Sequence, residues 1–229
     1  MIANLKALLR GDRDETLCFL AAPGWRHPGV CILLILGGSG PYGATVGLWR
    51  SPEQALYTAI KIPALILLTC TGNALLNGMI AQLLGSALSF RQTWNAILLS
   101  FAAASIILGA FAPIALFVLC DSPELSATNA VIGHSVMLLT HVFLIACAGF
   151  LGNRLLLRSL NFLSAPTIAR RVLFGWLTGN LLLGSQLAWV LRPFIGSPKL
   201  IVQFLRPDPL RGNFYEAVGR AIAHLLSQH

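Results

Sequence analysis

Long stretches without a charged residue dominate the chain, and short polar connections separate them. Five such stretches reach at least the length of a membrane span: 27–49, 62–90, 92–120, 125–153 and 172–191. A helix of about 20 apolar residues crosses a hydrocarbon core of about 30 Å. A backbone can cross lipid only where its hydrogen bonds are closed internally. The pattern therefore predicts an all-α fold, a polytopic transmembrane helix bundle with about five spans over residues 29–191.

Both ends of the chain are more polar than these stretches. Residues 1–28 carry apolar side chains at helical spacing between basic ones, which is typical of an interfacial amphipathic segment; a frayed polar tail is the alternative. Residues 192–229 are too polar to span and too apolar for a free tail. We expect an ordered extramembrane tail that ends in a short amphipathic helix near 214–226.

The first predicted span is interrupted by helix-breaking residues at Gly40, Pro41 and Gly43. These residues make it a candidate helix break, since proline removes a backbone donor and kinks a helix. A broken helix at membrane depth can hold a substrate or an ion. The favoured interpretation is a close helix crossing, which glycine permits because it has no side chain.

Composition excludes a soluble domain and a disordered chain. Hydrophobic residues make up 56% and charged residues 10%, against about 25% charged in soluble domains. The net charge of +8 comes from residues scattered between apolar stretches, so we attribute it to anionic headgroups at the membrane edge and expect no nucleic-acid partner. The five cysteines have no CxxC spacing, and no metal site, disulfide framework or cofactor is expected.

Intramembrane polar residues are the first place to look for function. All those within the predicted spans are neutral. The candidates for polar or helix-contact roles are Asn73, Asn77, His134, His141, Asn180 and Gln186.

Asn73 and Asn77 share a helix face, and interhelical hydrogen bonding is favoured over a substrate lining. His134 and His141 are two turns apart, too far to bind one metal together. A metal or haem role for either histidine is the minor alternative. No nucleophile elbow or P-loop is present, so we expect no catalytic activity.

Three segments resemble bacterial membrane proteins of unassigned function that are distantly similar to Yip1-domain proteins. They are GPYGATVGLWRSPEQALYTAIKIPALILLT (40–69), LGSALSFRQTWNAILLSFAAASIILGAFAPIALF (84–117) and GSQLAWVLRPFIGSPKLIVQFLRPDPLRGNFYEAV (184–218). The resemblance implies five spans, a cytoplasmic N-terminus and a bacterial inner (cytoplasmic) membrane. It implies no activity, because the GTPase-binding segment of the eukaryotic members has no match here.

The favoured function is a non-enzymatic integral membrane subunit that anchors or organises a larger assembly. Its expected partners are membrane lipids and either other membrane subunits or further copies of the chain, with Phe214 and Tyr215 as candidate partner-docking residues. One alternative is a transporter or channel component that works as an oligomer, with a polar site at the broken first span. A second alternative is an intramembrane enzyme.

Overall fold

The computed structural model describes residues 2–86, 88–122, 130–196 and 201–216, and this part of the chain is helical without a strand. Its seven α-helices are α1 (Ile2–Arg10), α2 (Arg13–Ala21), α3 (Arg26–Leu48), α4 (Pro52–Leu83), α5 (Phe90–Asp121), α6 (Ala130–Leu163) and α7 (Pro166–Val190). The predicted all-α class is therefore confirmed. Helix α3 begins at Arg26, slightly before the predicted boundary at residue 28.

Four of these helices, α3 to α6, are long and apolar enough to cross a membrane. The protein is thus an integral membrane protein. The predicted fifth span corresponds to α7, which is not among the four helices that meet the length and hydropathy requirement. Polar residues in its second half lower its hydropathy. The charge-free stretches therefore give five spans, whereas the length and hydropathy of the described helices give four.

Helix α7 nevertheless follows α4 closely, in the antiparallel direction. Gly175 faces Ile80 near the end of α4, and Gly184 faces Thr69 further back along it. After α7 the chain reaches the first turns of α4, where Pro193 accepts a hydrogen bond from Gln54. The five long helices therefore run alternately up and down, and the N-terminal helices and the tail lie at opposite ends of the bundle.

The predicted break in the first span is absent, because α3 continues from Arg26 to Leu48 with Pro41 inside it. Gly40, Pro41 and Gly43 are thus part of a continuous helix. The neighbouring glycines explain why. A Cβ at Gly38 would collide with the backbone of Ser105 in α5, and a Cβ at Gly43 would lie 2.6 Å from the Thr58 carbonyl oxygen in α4. Close packing on both neighbours supports α3 where proline removes a hydrogen bond.

Helices α1 and α2 pack against the bundle. In the part of 1–28 whose side chains are described, Leu8, Phe19 and Leu20 are buried. The Asn95 side chain of α5 donates to the Leu20 carbonyl at 3.2 Å. The Asp12 carboxylate caps α2 by accepting from the Glu15 amide. These helices therefore cover one end of the bundle with their apolar side chains turned towards protein.

Candidate functional site

The asparagine pair lies in the contact between α4 and α7. Asn73 and Asn77 are fully buried. Their Oδ1 atoms lie 3.3 Å and 3.4 Å from the position that a Cβ would occupy on Gly179. The Trp176 indole donates to the backbone carbonyl of Asn77 at 2.9 Å. The glycine thus allows α7 to approach both amides directly.

This contact differs from the expected interhelical hydrogen bonding. Within the described residues, none of the four side-chain amide atoms of Asn73 and Asn77 has a hydrogen-bond partner. The two oxygens instead lie beside the space that a Cβ on Gly179 would occupy. A buried polar group without a full hydrogen bond costs about 1–3 kcal/mol. The side-chain amides of this pair are therefore buried in the bundle without a hydrogen-bond partner among the described residues.

The polar residues of α7 have separate roles. The Oδ1 atom of Asn180 is buried without a partner among the described residues. The Oε1 atom of Gln186 accepts from the Phe214 amide at 3.3 Å. Gln186 therefore contacts the tail, which the sequence pattern did not indicate.

The two histidines of α6 contact different aromatic residues, one within α3 and one directly after it. The Nδ1 atom of His141 lies 2.9 Å from the Tyr42 hydroxyl, and both residues are buried. The His134 ring lies 5.7 Å from the Trp49 ring. The two histidines therefore make separate contacts, at different heights along the bundle axis. Among the described residues, no group of three or more His, Cys, Asp or Glu side chains could hold a metal.

A polar cluster that the sequence analysis missed joins the start of α4 to the tail. Lys61 is fully buried, and its Nζ donates to the Pro193 carbonyl at 2.8 Å. Gln54 Nε2 donates to the Phe194 carbonyl at 2.7 Å, and the Thr58 hydroxyl donates to the same oxygen at 3.0 Å. We call Gln54, Thr58 and Lys61, with these two carbonyls, the tail anchor.

The tail anchor has a signal in the sequence. Gln54, Thr58 and Lys61 follow one another at spacings of four and three residues, which places them on one face of a helix. Nothing local indicates that their partners are backbone carbonyls more than 130 residues away. The aromatic ring of Phe204, with its centroid 4.9 Å from Lys61 Nζ, adds a cation–π contact.

Basic residues gather beside the tail anchor. The Arg192 guanidinium stacks over the Trp189 ring at 3.7 Å and donates to the Trp189 carbonyl at 2.6 Å. Burial, together with the nearby charge of Arg206, lowers the pKa of Arg192 below its ordinary value. Arginine stays protonated under such a shift, so this end of the bundle carries fixed positive charge.

Phe214 and Tyr215, the candidate partner-docking residues, contact α7 of their own chain. The Tyr215 hydroxyl donates to the Leu182 carbonyl at 2.8 Å and lies 2.6 Å from the Ser185 hydroxyl. Their rings remain 37% and 45% exposed. These residues hold the tail along α7 and still present an open face. The rest of the predicted helix near 214–226 lies beyond residue 216, outside the described residues.

The tail presents several large apolar side chains outward. Ile201 is 76% exposed and Leu210 is 80% exposed. We call the following residues the tail surface: Ile201, Leu205, Leu210, Phe214 and Tyr215. It lies in a segment that also carries Arg206, Asp208 and Arg211.

No protein-family model, curated protein or solved structure matches this chain. The resemblance to Yip1-domain proteins therefore stays a prediction.

Proposed function

We propose that this protein is a non-enzymatic integral membrane subunit that anchors or organises a larger assembly through its tail surface. The observation that carries the proposal is the tail anchor, which fastens an irregular segment to the bundle while its large apolar side chains stay exposed. Exposed apolar patches on an ordered segment are typical of protein interaction sites.

The energetics of the tail support this role. Burying a large aliphatic side chain contributes about 1.5–3 kcal/mol. A partner that covers Ile201 and Leu210 therefore gains a favourable binding free energy from each. The charged residues among them, Arg206, Asp208 and Arg211, oppose insertion of the segment into hydrocarbon. The hydrogen bonds of the tail anchor hold the segment in place beforehand, which lowers the entropy cost of binding.

The distribution of basic residues supports one orientation of the protein in the membrane. The end of the bundle with α1 and α2 carries more of them than the opposite end: Lys6, Arg10, Arg13, Arg26, Arg91, Arg154, Arg158, Arg170 and Arg171. Basic residues are enriched in cytoplasmic connections. We therefore propose a cytoplasmic N-terminus, in a bacterial inner membrane as the Yip1 resemblance implies, with the tail surface on the opposite side.

The test is purification of the tagged protein from its native membrane in mild detergent, followed by mass spectrometry of what accompanies it. We expect a stoichiometric partner, which the double variant Ile201→Ser/Leu210→Ser loses. Leu83→Ser is the matched control, because Leu83 is 86% exposed at the other end of the bundle. Recovery of the chain alone, or a partner retained by the double variant, would contradict the proposal.

One observation favours transport as the second candidate function. The buried, unpaired amides of Asn73 and Asn77 could line a polar passage if α4 and α7 separate. This candidate no longer involves the first span, because α3 is continuous. Proteoliposomes under a sodium gradient, read with a voltage-sensitive dye, would show ion flux that Asn73→Ala reduces. No difference from empty vesicles would count against sodium transport.

A further inference from the structure

A cavity of about 370 Å³ opens between α1, α5 and α6, at the end of the bundle opposite the tail. Its walls are Leu9, Ala103, Ile106, Ile107, Leu151 and Leu155, and its two charged lining residues are Arg154 and Arg158. Small-molecule sites commonly have such a volume, with apolar walls and a few well-placed polar groups.

The two arginines lie one turn apart on α6, where this helix leaves its charge-free stretch. Arg158 Nη1 donates to the Arg10 carbonyl at 3.0 Å, which leaves the other donors of its guanidinium available. Arg154 is exposed and makes no hydrogen bond or ion pair within the described residues. A guanidinium offers paired donors that match the oxygens of a phosphate. Among the described residues that line the cavity, no side chain is acidic and able to neutralise this charge.

The depth of the cavity matches one leaflet of a bilayer. The Ser100 hydroxyl donates to the Gly152 carbonyl, which sets α5 and α6 in register. At about 1.5 Å of rise per residue, Ile107 lies about 20 Å below Arg158 along the bundle axis. Half of a hydrocarbon core is about 15 Å. The arginines therefore lie at headgroup level when the apolar walls lie among acyl chains.

We propose that this cavity binds one anionic phospholipid, with its phosphate on Arg154 and Arg158 and an acyl chain along Ile106, Ile107 and Leu151. Charge complementarity favours an anionic lipid over a zwitterionic one, since the described lining residues supply two positive charges and no negative one. Leu9 of α1 closes the rim, so the lipid also joins the N-terminal helices to the bundle.

The experiment titrates the purified full-length protein in detergent with phosphatidylglycerol, phosphatidylcholine or inorganic phosphate, and measures bound lipid by native mass spectrometry. We expect one phosphatidylglycerol per chain and little phosphatidylcholine. Arg154→Gln should weaken the binding at least about tenfold, because it removes charge-assisted donors to the lipid phosphate. This variant leaves the Arg158–Arg10 contact in place.

Arg170→Gln is the matched control, because Arg170 is an exposed arginine at the same end of the bundle but outside the cavity. It should bind phosphatidylglycerol as the wild type does. Leu151→Trp keeps both arginines and fills the apolar part of the cavity, so it should also lose the lipid. The proposal is overturned if Arg170→Gln weakens binding as much as Arg154→Gln, if phosphatidylcholine binds equally, or if inorganic phosphate competes as well as the lipid does.

Discussion

Two adjacent glycines of α3 show how strongly the effect of one residue depends on its neighbours. Gly37 faces open space, with no atom within 4 Å of an added Cβ. Gly38 lies against the backbone of Ser105, and a Cβ added to Gly109 would lie 3.1 Å from the Gly38 Cα. Backbone atoms cannot move aside as a flexible side chain can. The two positions therefore differ in whether they tolerate a larger residue, although both are glycine.

We predict that Gly38→Ala destabilises the protein by at least about 1–3 kcal/mol, because overpacking forces α3 and α5 apart. Gly37→Ala should be neutral or slightly stabilising, since alanine favours a helix by up to about 1 kcal/mol over glycine. Thermal unfolding of both variants in the same detergent measures the difference. Equal midpoints would show that α3 and α5 do not cross at Gly38.

Individual helices depend on contacts that are distant in the sequence. Helix α4 is joined to the tail by hydrogen bonds from Gln54, Thr58 and Lys61, while α7 meets the same helix through Gly175, Gly179 and Gly184. Helix α4 therefore contacts both α7 and the segment that follows it. The first turns of α4 thus supply the donors that hold the start of the tail.

We predict that Gln54→Leu releases the tail. The substitution keeps a similar volume but removes the donor to the carbonyls of Pro193 and Phe194. The docked tail should lose about 1–3 kcal/mol of stabilisation. The fraction of molecules with a released tail should therefore rise at least about fivefold. Limited trypsin digestion should then cleave after Arg211 correspondingly faster.

Gln82→Leu is the control for this change, because Gln82 lies exposed near the other end of α4. It should leave the rate of cleavage after Arg211 unchanged. An unaltered rate in Gln54→Leu itself would mean that other contacts hold the tail.

The whole molecule has two distinct ends. One end carries α1, α2 and the lipid cavity, and the other carries the tail anchor and the tail surface. Three long helices, α3, α4 and α5, separate Cys18 from Cys120. Both thiols are exposed, whereas Cys31 and Cys70 are buried.

We predict that Cys18 and Cys120 lie on opposite sides of the membrane. A membrane-impermeant maleimide added to sealed inside-out vesicles should label Cys18 and spare Cys120, and right-side-out vesicles should give the reverse. The variants Cys18→Ser and Cys120→Ser assign each labelled thiol, and detergent should expose both to the reagent. Labelling of both from one side would contradict the alternating arrangement of these helices.

Much of this architecture was predictable from local pattern. A charge-free stretch long enough to span lipid leaves the backbone little choice but a helix, because its hydrogen bonds must close within the segment. The approximate positions of α3 to α6 and the all-α class followed from this property. The register of Asn73 and Asn77 on one face followed equally, since helical spacing is local.

Other features depended on which helices meet, and no local pattern contains that information. Gly40, Pro41 and Gly43 suggest a break when read alone, but the packing of α3 against α4 and α5 keeps the helix continuous. The amides of Asn73 and Asn77 face a glycine where an interhelical hydrogen bond was expected. The hydrogen-bond acceptor of Lys61 is the backbone carbonyl of Pro193, and a backbone carbonyl is the same group at every residue of a sequence. Helical propensity and hydropathy are properties of neighbouring residues, whereas these contacts join residues that only folding brings together.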